Sequence, residues 1–226
     1  MKTIFVCAVF LLLSSLASAQ SGWVTQYTSL TKNINDVQFI NSLTGFAAAD
    51  TGTVLKTTNG GQNWIQYKVN ISDPIYRINF VTEVTGYASS LISLGASGWA
   101  GKMYKTTNGG INWYTLTTDQ FVSPTSIAAL NSDTVLTSAG TFFDPSSQGI
   151  IYKTFNGGNN FISSNYITPG YYYKAQITSR SSWWIRATIP APIRYTIIKS
   201  SDCGASWNNL SFNGNNCSNS HHNLTT

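Results

Sequence analysis

Glu83 is the one glutamate in a chain where eight Asp and Glu stand against thirteen Lys and Arg. Charged side chains make up 9% of the residues, against roughly 25% in ordinary soluble domains. Two facing carboxylates could protonate a leaving group and activate water for glycoside hydrolysis. Most of the acids here instead stand in turn settings, as in Asp50-Thr51-Gly52, Asp73-Pro74 and Asp144-Pro145, where an Asp side chain bonds its own backbone. Arg77, Arg180, Arg186 and Arg194 are scattered. His221-His222, with Cys217 nearby, lack the spacing of a metal site. Basic residues form no stripe of the kind nucleic-acid binders show. The expectation is a protein with no catalytic residue, no cofactor, no metal and no nucleic-acid partner.

The first element to account for is not part of the mature fold. Lys2, the apolar run Ile4 to Leu13 and the small residues Ala17-Ser18-Ala19 have the layout of a secretory signal peptide over residues 1–19, cut before Gln20. The run falls short of the roughly 20 apolar residues a membrane helix needs, so no membrane span is expected. Losing Lys2 lowers the formal charge from +5 to +4. The mature chain is read as secreted or held at a cell surface, with any attachment coming from sequence outside this chain. It keeps Cys203 and Cys217, an even count that permits one disulfide, which would contribute about 2–4 kcal/mol.

Four segments then line up. They are Thr57-Thr58-Asn59-Gly60-Gly61-Gln62-Asn63-Trp64, Thr106-Thr107-Asn108-Gly109-Gly110-Ile111-Asn112-Trp113, Thr154-Phe155-Asn156-Gly157-Gly158-Asn159-Asn160-Phe161 and Ser200-Ser201-Asp202-Cys203-Gly204-Ala205-Ser206-Trp207. Their closing aromatics lie 49, 48 and 46 residues apart, and each segment follows an alternating strand that ends in lysine. Asn or Asp can bond amides across a turn, and the glycines Gly61, Gly110, Gly158 and Gly204 supply positive φ at little cost. The aromatic then enters the next strand and buries its ring against the neighbouring sheet. These residues are therefore structural.

Each repeat divides into four short strands, in the first near Ile34–Ile40, Gly45–Ala49, Thr53–Thr57 and Asn63–Lys68. Later repeats lengthen the connection between strands two and three, over Leu91–Gly101, Gly140–Gly149 and Ala187–Arg194. Four strands at this period match a propeller blade. The expected fold is all-β: a β-propeller of four-stranded antiparallel blades over residues 20–212, followed by a polar tail at 213–226 expected to be disordered. Trp23-Val24-Thr25-Gln26-Tyr27 reads as an orphan outer strand, so four repeats leave an incomplete ring.

The boxes resemble the Asp-box (BNR) repeat, whose consensus runs Ser-x-Asp-x-Gly-x-Thr-Trp, and the fourth copy fits it best. Together with Asp36-Val37-Gln38-Phe39 and Thr44-Gly45-Phe46-Ala47, they are similar to the photosystem II stability/assembly factor family found in exported bacterial proteins. That resemblance implies that the boxes mark the face away from the ligand. The opposite face would carry Trp99, Phe142, Phe143, Asp144 and Arg194 on the lengthened loops. Asp36, Arg77 and Lys174 would join them at equivalent places on the innermost strands. Exposed aromatics with a few polar groups suit a carbohydrate or peptide ligand. The resemblance implies a non-catalytic module for protein or glycan binding or assembly. The alternative is a sialidase-like glycoside hydrolase whose catalytic residues lie partly outside this chain.

Overall fold

The computed structural model describes residues 25–26, 28–69, 73–93, 95, 99–121, 124–139, 148–169, 171–190 and 193–210. They form seventeen strands and, among the described residues, no α-helix. Blade one comprises β1 (Ile34–Phe39), β2 (Gly45–Ala49), β3 (Thr53–Thr57) and β4 (Ile65–Lys68). Blade two comprises β5 (Ile75–Phe80), β6 (Gly86–Ser90), β8 (Trp99–Thr106) and β9 (Tyr114–Phe121), with the short β7 (Ile92–Ser93) folded back on β8. Blade three comprises β10 (Pro124–Ala129), β11 (Val135–Ala139), β12 (Gln148–Thr154) and β13 (Ile162–Pro169). Blade four comprises β14 (Tyr171–Ile177), β15 (Trp183–Pro190), β16 (Ile193–Ser200) and β17 (Asn208–Leu210). All four are antiparallel meanders.

Burial follows each strand's place in its blade. The second strands β2, β6 and β11 are buried at every residue, because blades cover both of their faces and leave no reason to alternate polar with apolar. Small side chains such as Ala47, Ala48 and Ala49 let the neighbouring sheets close in. The outer strand β4 is mostly exposed. Between blades one and two, Phe46 and Val54 meet Ile78 and Phe80, and the Phe46 and Phe80 rings stack. Tyr87 and Met103 meet Ile127 and Val135 at the next interface, and Leu136 and Ile151 meet Ala175 and Ile185 at the third.

The inner strands touch in series, β1 with β5, β5 with β10 and β10 with β14. No contact of that extent returns from β14 to β1. The four blades therefore form an open arc, as expected.

Two lengthened connections are built differently from the loops expected. Pairing continues along β15 and β16 to Ile189 opposite Arg194 and Pro190 opposite Ile193, so this stretch is a longer hairpin. Trp99 opens β8 opposite Ser93. Both segments keep enough strand-forming residues for the ladder to run on. Of the orphan outer strand, Trp23, Val24 and Tyr27 lie outside the described residues, as do Phe142, Phe143, Asp144, Cys217 and the tail.

A basic, aromatic cavity on the inner strands

The boxes share one hydrogen-bond pattern. The buried Thr57 hydroxyl accepts the Gly61 amide at 2.9 Å and the Asn59 amide at 3.3 Å, and donates to Asn59 Oδ1 at 2.9 Å. Asn59 Oδ1 in turn accepts the Asn63 amide at 2.9 Å. Thr106 with Asn108, Thr154 with Asn156 and Ser200 with Asp202 repeat the arrangement. The turn therefore depends on the hydroxyl that opens each box as much as on the Asn and Gly. That residue recurs as Thr or Ser in all four copies, which is the signal for it in the sequence. Box positions four and five both have positive φ, Gly60 at 69° and Gly61 at 88°. In the fourth box Cys203 takes the first of these at 59°.

Asp202 accepts further bonds from Ser206, whose hydroxyl reaches Oδ2 at 2.5 Å. The Ser206 hydroxyl and amide, with the Ser200 hydroxyl, hold its carboxyl well below the usual range. The box aromatics precede the outer strands, and the first two pack on their own blade's inner strand. Trp64 meets Phe39 edge-on with ring centroids 6.0 Å apart, and Trp113 meets Phe80 at 5.8 Å. Trp113, Phe161 and Trp207 also join the inter-blade cores.

At the other end of each blade, every inner strand carries a bulge. Pairing skips one residue between Ile34 and Asp36, Ile75 and Arg77, Pro124 and Ser126, and Tyr172 and Lys174. The surplus residues are Asn35, Tyr76, Thr125 and Tyr173. A bulge bends its strand and re-aims side chains. Asp36, Arg77 and Lys174 thus occupy equivalent positions, with Ser126 as the counterpart in blade three. They lie at the end where strands two and three connect, across the blade from the boxes.

Two of these three reach neighbouring backbone. Asp36 accepts the Val37 amide at 3.0 Å on one oxygen and the Ile78 amide of blade two at 3.1 Å on the other. Arg77 donates to the Thr125 carbonyl at 3.1 Å and to the Tyr76 carbonyl at 3.2 Å, and lies over the Tyr76 ring at 4.1 Å. Lys174 is exposed. Arg77 and Lys174 come together in a cavity of about 230 Å³ lined also by Tyr76, Thr125, Tyr173 and Arg186. Arg186, which sequence reasoning did not assign to the ligand face, sits 5.0 Å from the Tyr173 ring. The cavity lining holds three cations and two phenol rings and no acid. A second concavity of about 540 Å³ shares Lys174 and Arg186 and runs over Gln176, Trp184, Tyr195 and Ile197.

Asp36 is not among the cavity residues, and for Trp99 and Arg194 only the strand backbone is described. Of the adjacent tryptophans, Trp183 is wholly buried and Trp184 half-buried. Cys203 is half-buried, and its expected partner falls outside the described residues. Glu83 accepts from Asn41 and Thr44, and Asp50 from Asn33 and Asn35. These acids hold loops and strand ends.

A family model described as photosynthesis system II assembly factor YCF48 matches residues 15–164. No curated protein matches the chain. Among solved structures, YCF48 bound to D1 peptide aligns at 15% identity and a TM-score of 0.40, covering 82% of each chain. YCF48 from Cyanidioschyzon merolae aligns at 12% identity and a TM-score of 0.28, covering 79% of this chain and 85% of the other. The GH74 xyloglucanase from Xanthomonas campestris aligns at 10% identity and a TM-score of 0.46, over 79% of this chain and 38% of that enzyme.

Proposed function

The chain belongs to the photosynthesis system II assembly factor YCF48 family, and from that membership we propose that it is a non-catalytic binding module that recognises an acidic segment of a protein partner. The observation that carries the reading is the cavity among Tyr76, Arg77, Thr125, Tyr173, Lys174 and Arg186. Cations with no acid beside them attract a carboxylate. Guanidinium groups pair with it in a fork, and stacking on tyrosine restricts how they present themselves. The phenol rings add flat apolar surface for the peptide backbone or an aromatic neighbour. Nothing in this arrangement calls for bond cleavage; it holds and orients a ligand.

The partner is met outside the cytoplasm. Residues 1–19, with Lys2, the apolar run and Ala17-Ser18-Ala19, support export, and intact-mass measurement of the mature protein checks this through a chain beginning at Gln20.

Binding is tested by titrating the protein with an acidic peptide bearing a free terminal carboxylate, against the same peptide amidated throughout. The reading expects the acidic peptide alone to bind, and Lys174→Gln or Arg186→Gln to weaken it by about tenfold each, roughly 1.4 kcal/mol. Affinity should also fall as salt rises. Equal binding of both peptides, or no effect of either substitution, would overturn it. Binding of a neutral oligosaccharide in the same cavity would point to a glycan partner. Turnover of a glycoside lost with the cavity residues would restore the hydrolase alternative.

A further inference from the structure

The first three boxes each set an asparagine directly before a glycine: Asn59-Gly60, Asn108-Gly109 and Asn156-Gly157. The turn demands that glycine, since φ there is 69°, 72° and 71°. The pair brings a chemical liability with it. No side chain on the following residue hinders the glycine nitrogen from attacking the asparagine Cγ. An N–C bond then forms, the Cγ–Nδ2 bond breaks, and ammonia leaves with the proton of the glycine amide. Water opens the cyclic imide at either carbonyl, giving aspartate or isoaspartate.

The folded box ties up the groups this reaction needs. Each nucleophilic N–H already donates to a carbonyl, Gly60 to Leu43 at 2.9 Å, Gly109 to Val84 at 2.8 Å and Gly157 to Asp133 at 2.9 Å. The other reactant is held as well. Asn108 Oδ1 accepts the Thr106 hydroxyl at 3.0 Å and the Asn112 amide at 2.9 Å. Asn156 Oδ1 accepts the Thr154 hydroxyl at 2.8 Å and the Asn160 amide at 3.0 Å. A lysine of the preceding blade closes over the glycine in boxes two and three. Lys105 Nζ donates to the Gly157 carbonyl at 3.1 Å, and Lys56 Nζ stands 2.9 Å from where a side chain on Gly109 would begin. Asn108 and Asn156 are themselves exposed, so water reaches them, and it is the hydrogen bonds that protect.

We propose that Asn59, Asn108 and Asn156 are sites of self-modification whose rate is set by opening of the box turn. Attack requires the glycine N–H to leave its carbonyl, so the reaction runs from the locally opened state. Its two products differ in consequence. Aspartate keeps the box, since Asp202 makes the same bonds with Ser200 and Ser206 in the fourth copy. Isoaspartate lengthens the main chain by one methylene and moves the carboxylate, which leaves the box hydroxyl and the amide four residues on without their acceptor. In the fourth box Asp202 precedes Cys203, whose side chain hinders the attack, and this copy stays intact.

Incubating the full chain at mildly alkaline pH, with peptide mapping by mass and enzymatic methylation of isoaspartate, tests this. Conversion at the three asparagines should run about a hundredfold slower in the folded protein than in urea. Thr106→Val removes the hydroxyl of the second box. It should speed conversion at Asn108 about tenfold and leave Asn156 at the parent rate, and Thr154→Val should do the reverse. Equal rates in folded and unfolded chain would overturn the proposal, and that comparison decides it even where a variant fails to fold. So would a rise shared by both sites in a variant with the parent's circular dichroism. Conversion of Asn112 and Asn160, which precede aromatics, as fast as that of the Asn-Gly pairs would overturn it too.

Discussion

The Gln38 carboxamide holds both backbone groups of Phe80, accepting its N–H at 2.6 Å and donating to its carbonyl at 3.1 Å. The two residues lie on the inner strands of successive blades, which share no ladder. The same kind of stitch recurs as Asn79 to the Ala129 amide at 3.0 Å and Ser126 to the Ala175 amide at 2.7 Å. Apolar packing draws the blades together without direction, and these bonds set their register. Gln38→Leu keeps the volume and removes both bonds. It should destabilise the fold by about 1–3 kcal/mol in urea unfolding, and an unchanged midpoint would show the stitch to be incidental.

Thr57 offers a sharper contrast. Its hydroxyl accepts two amides inside the turn, so Thr57→Val leaves them without a partner at a cost of roughly 2–3 kcal/mol. Thr57→Ser keeps the hydroxyl, as Ser200 does naturally in the fourth box, and should unfold close to the parent. Equal loss in both variants would place the effect in packing by the methyl group.

Cys203 has a φ of 59°, where the other boxes place Gly60, Gly109 and Gly157. A side chain in that region costs about 1–2 kcal/mol. Glycine gives back roughly 0.5–1 kcal/mol through the freedom it gains when unfolded. Cys203→Gly should therefore raise stability by up to about 1 kcal/mol, read as a higher melting temperature under reducing conditions. A lower one would mean that the sulfur's contacts with the blade-four core outweigh the strain.

Acid should act through the fourth box. The folded carboxyl of Asp202 lies well below its free value of 3.8, chiefly through the bonds from Ser206. Its contribution is complete above that free value and is lost as pH falls toward the folded one. Asp202→Asn, which copies the other three boxes, should flatten the fall in stability below pH 3.8. Parallel acid curves for the two proteins would assign the loss to other carboxylates.

Most of the blade plan was legible in the chain. Gly45–Ala49 and Thr53–Thr57 form strands with the expected bounds, and Ile34–Ile40 shortens by one residue. The reason is local: turn residues punctuate each strand, and the boxes recur in register. The bulges were not legible, because one surplus residue leaves no mark in a strand that is partly polar throughout. Nor was the stitching, since Asp36 and Ile78 lie 42 residues apart in the sequence. The equivalence of Asp36, Arg77 and Lys174 could be read by aligning repeats. That Arg77 and Lys174 share a cavity with Arg186, on a different strand, could not.

The surplus residues have one more consequence. The ladder register skips Asn35, Tyr76, Thr125 and Tyr173, which frees two of them to reach the next blade: Asn35 donates to the Ile75 carbonyl and Thr125 to the Tyr172 carbonyl. Each blade is thus fastened at both ends, by a bulge residue clasping its neighbour's backbone at one rim and by a box hydroxyl closing its own turn at the other.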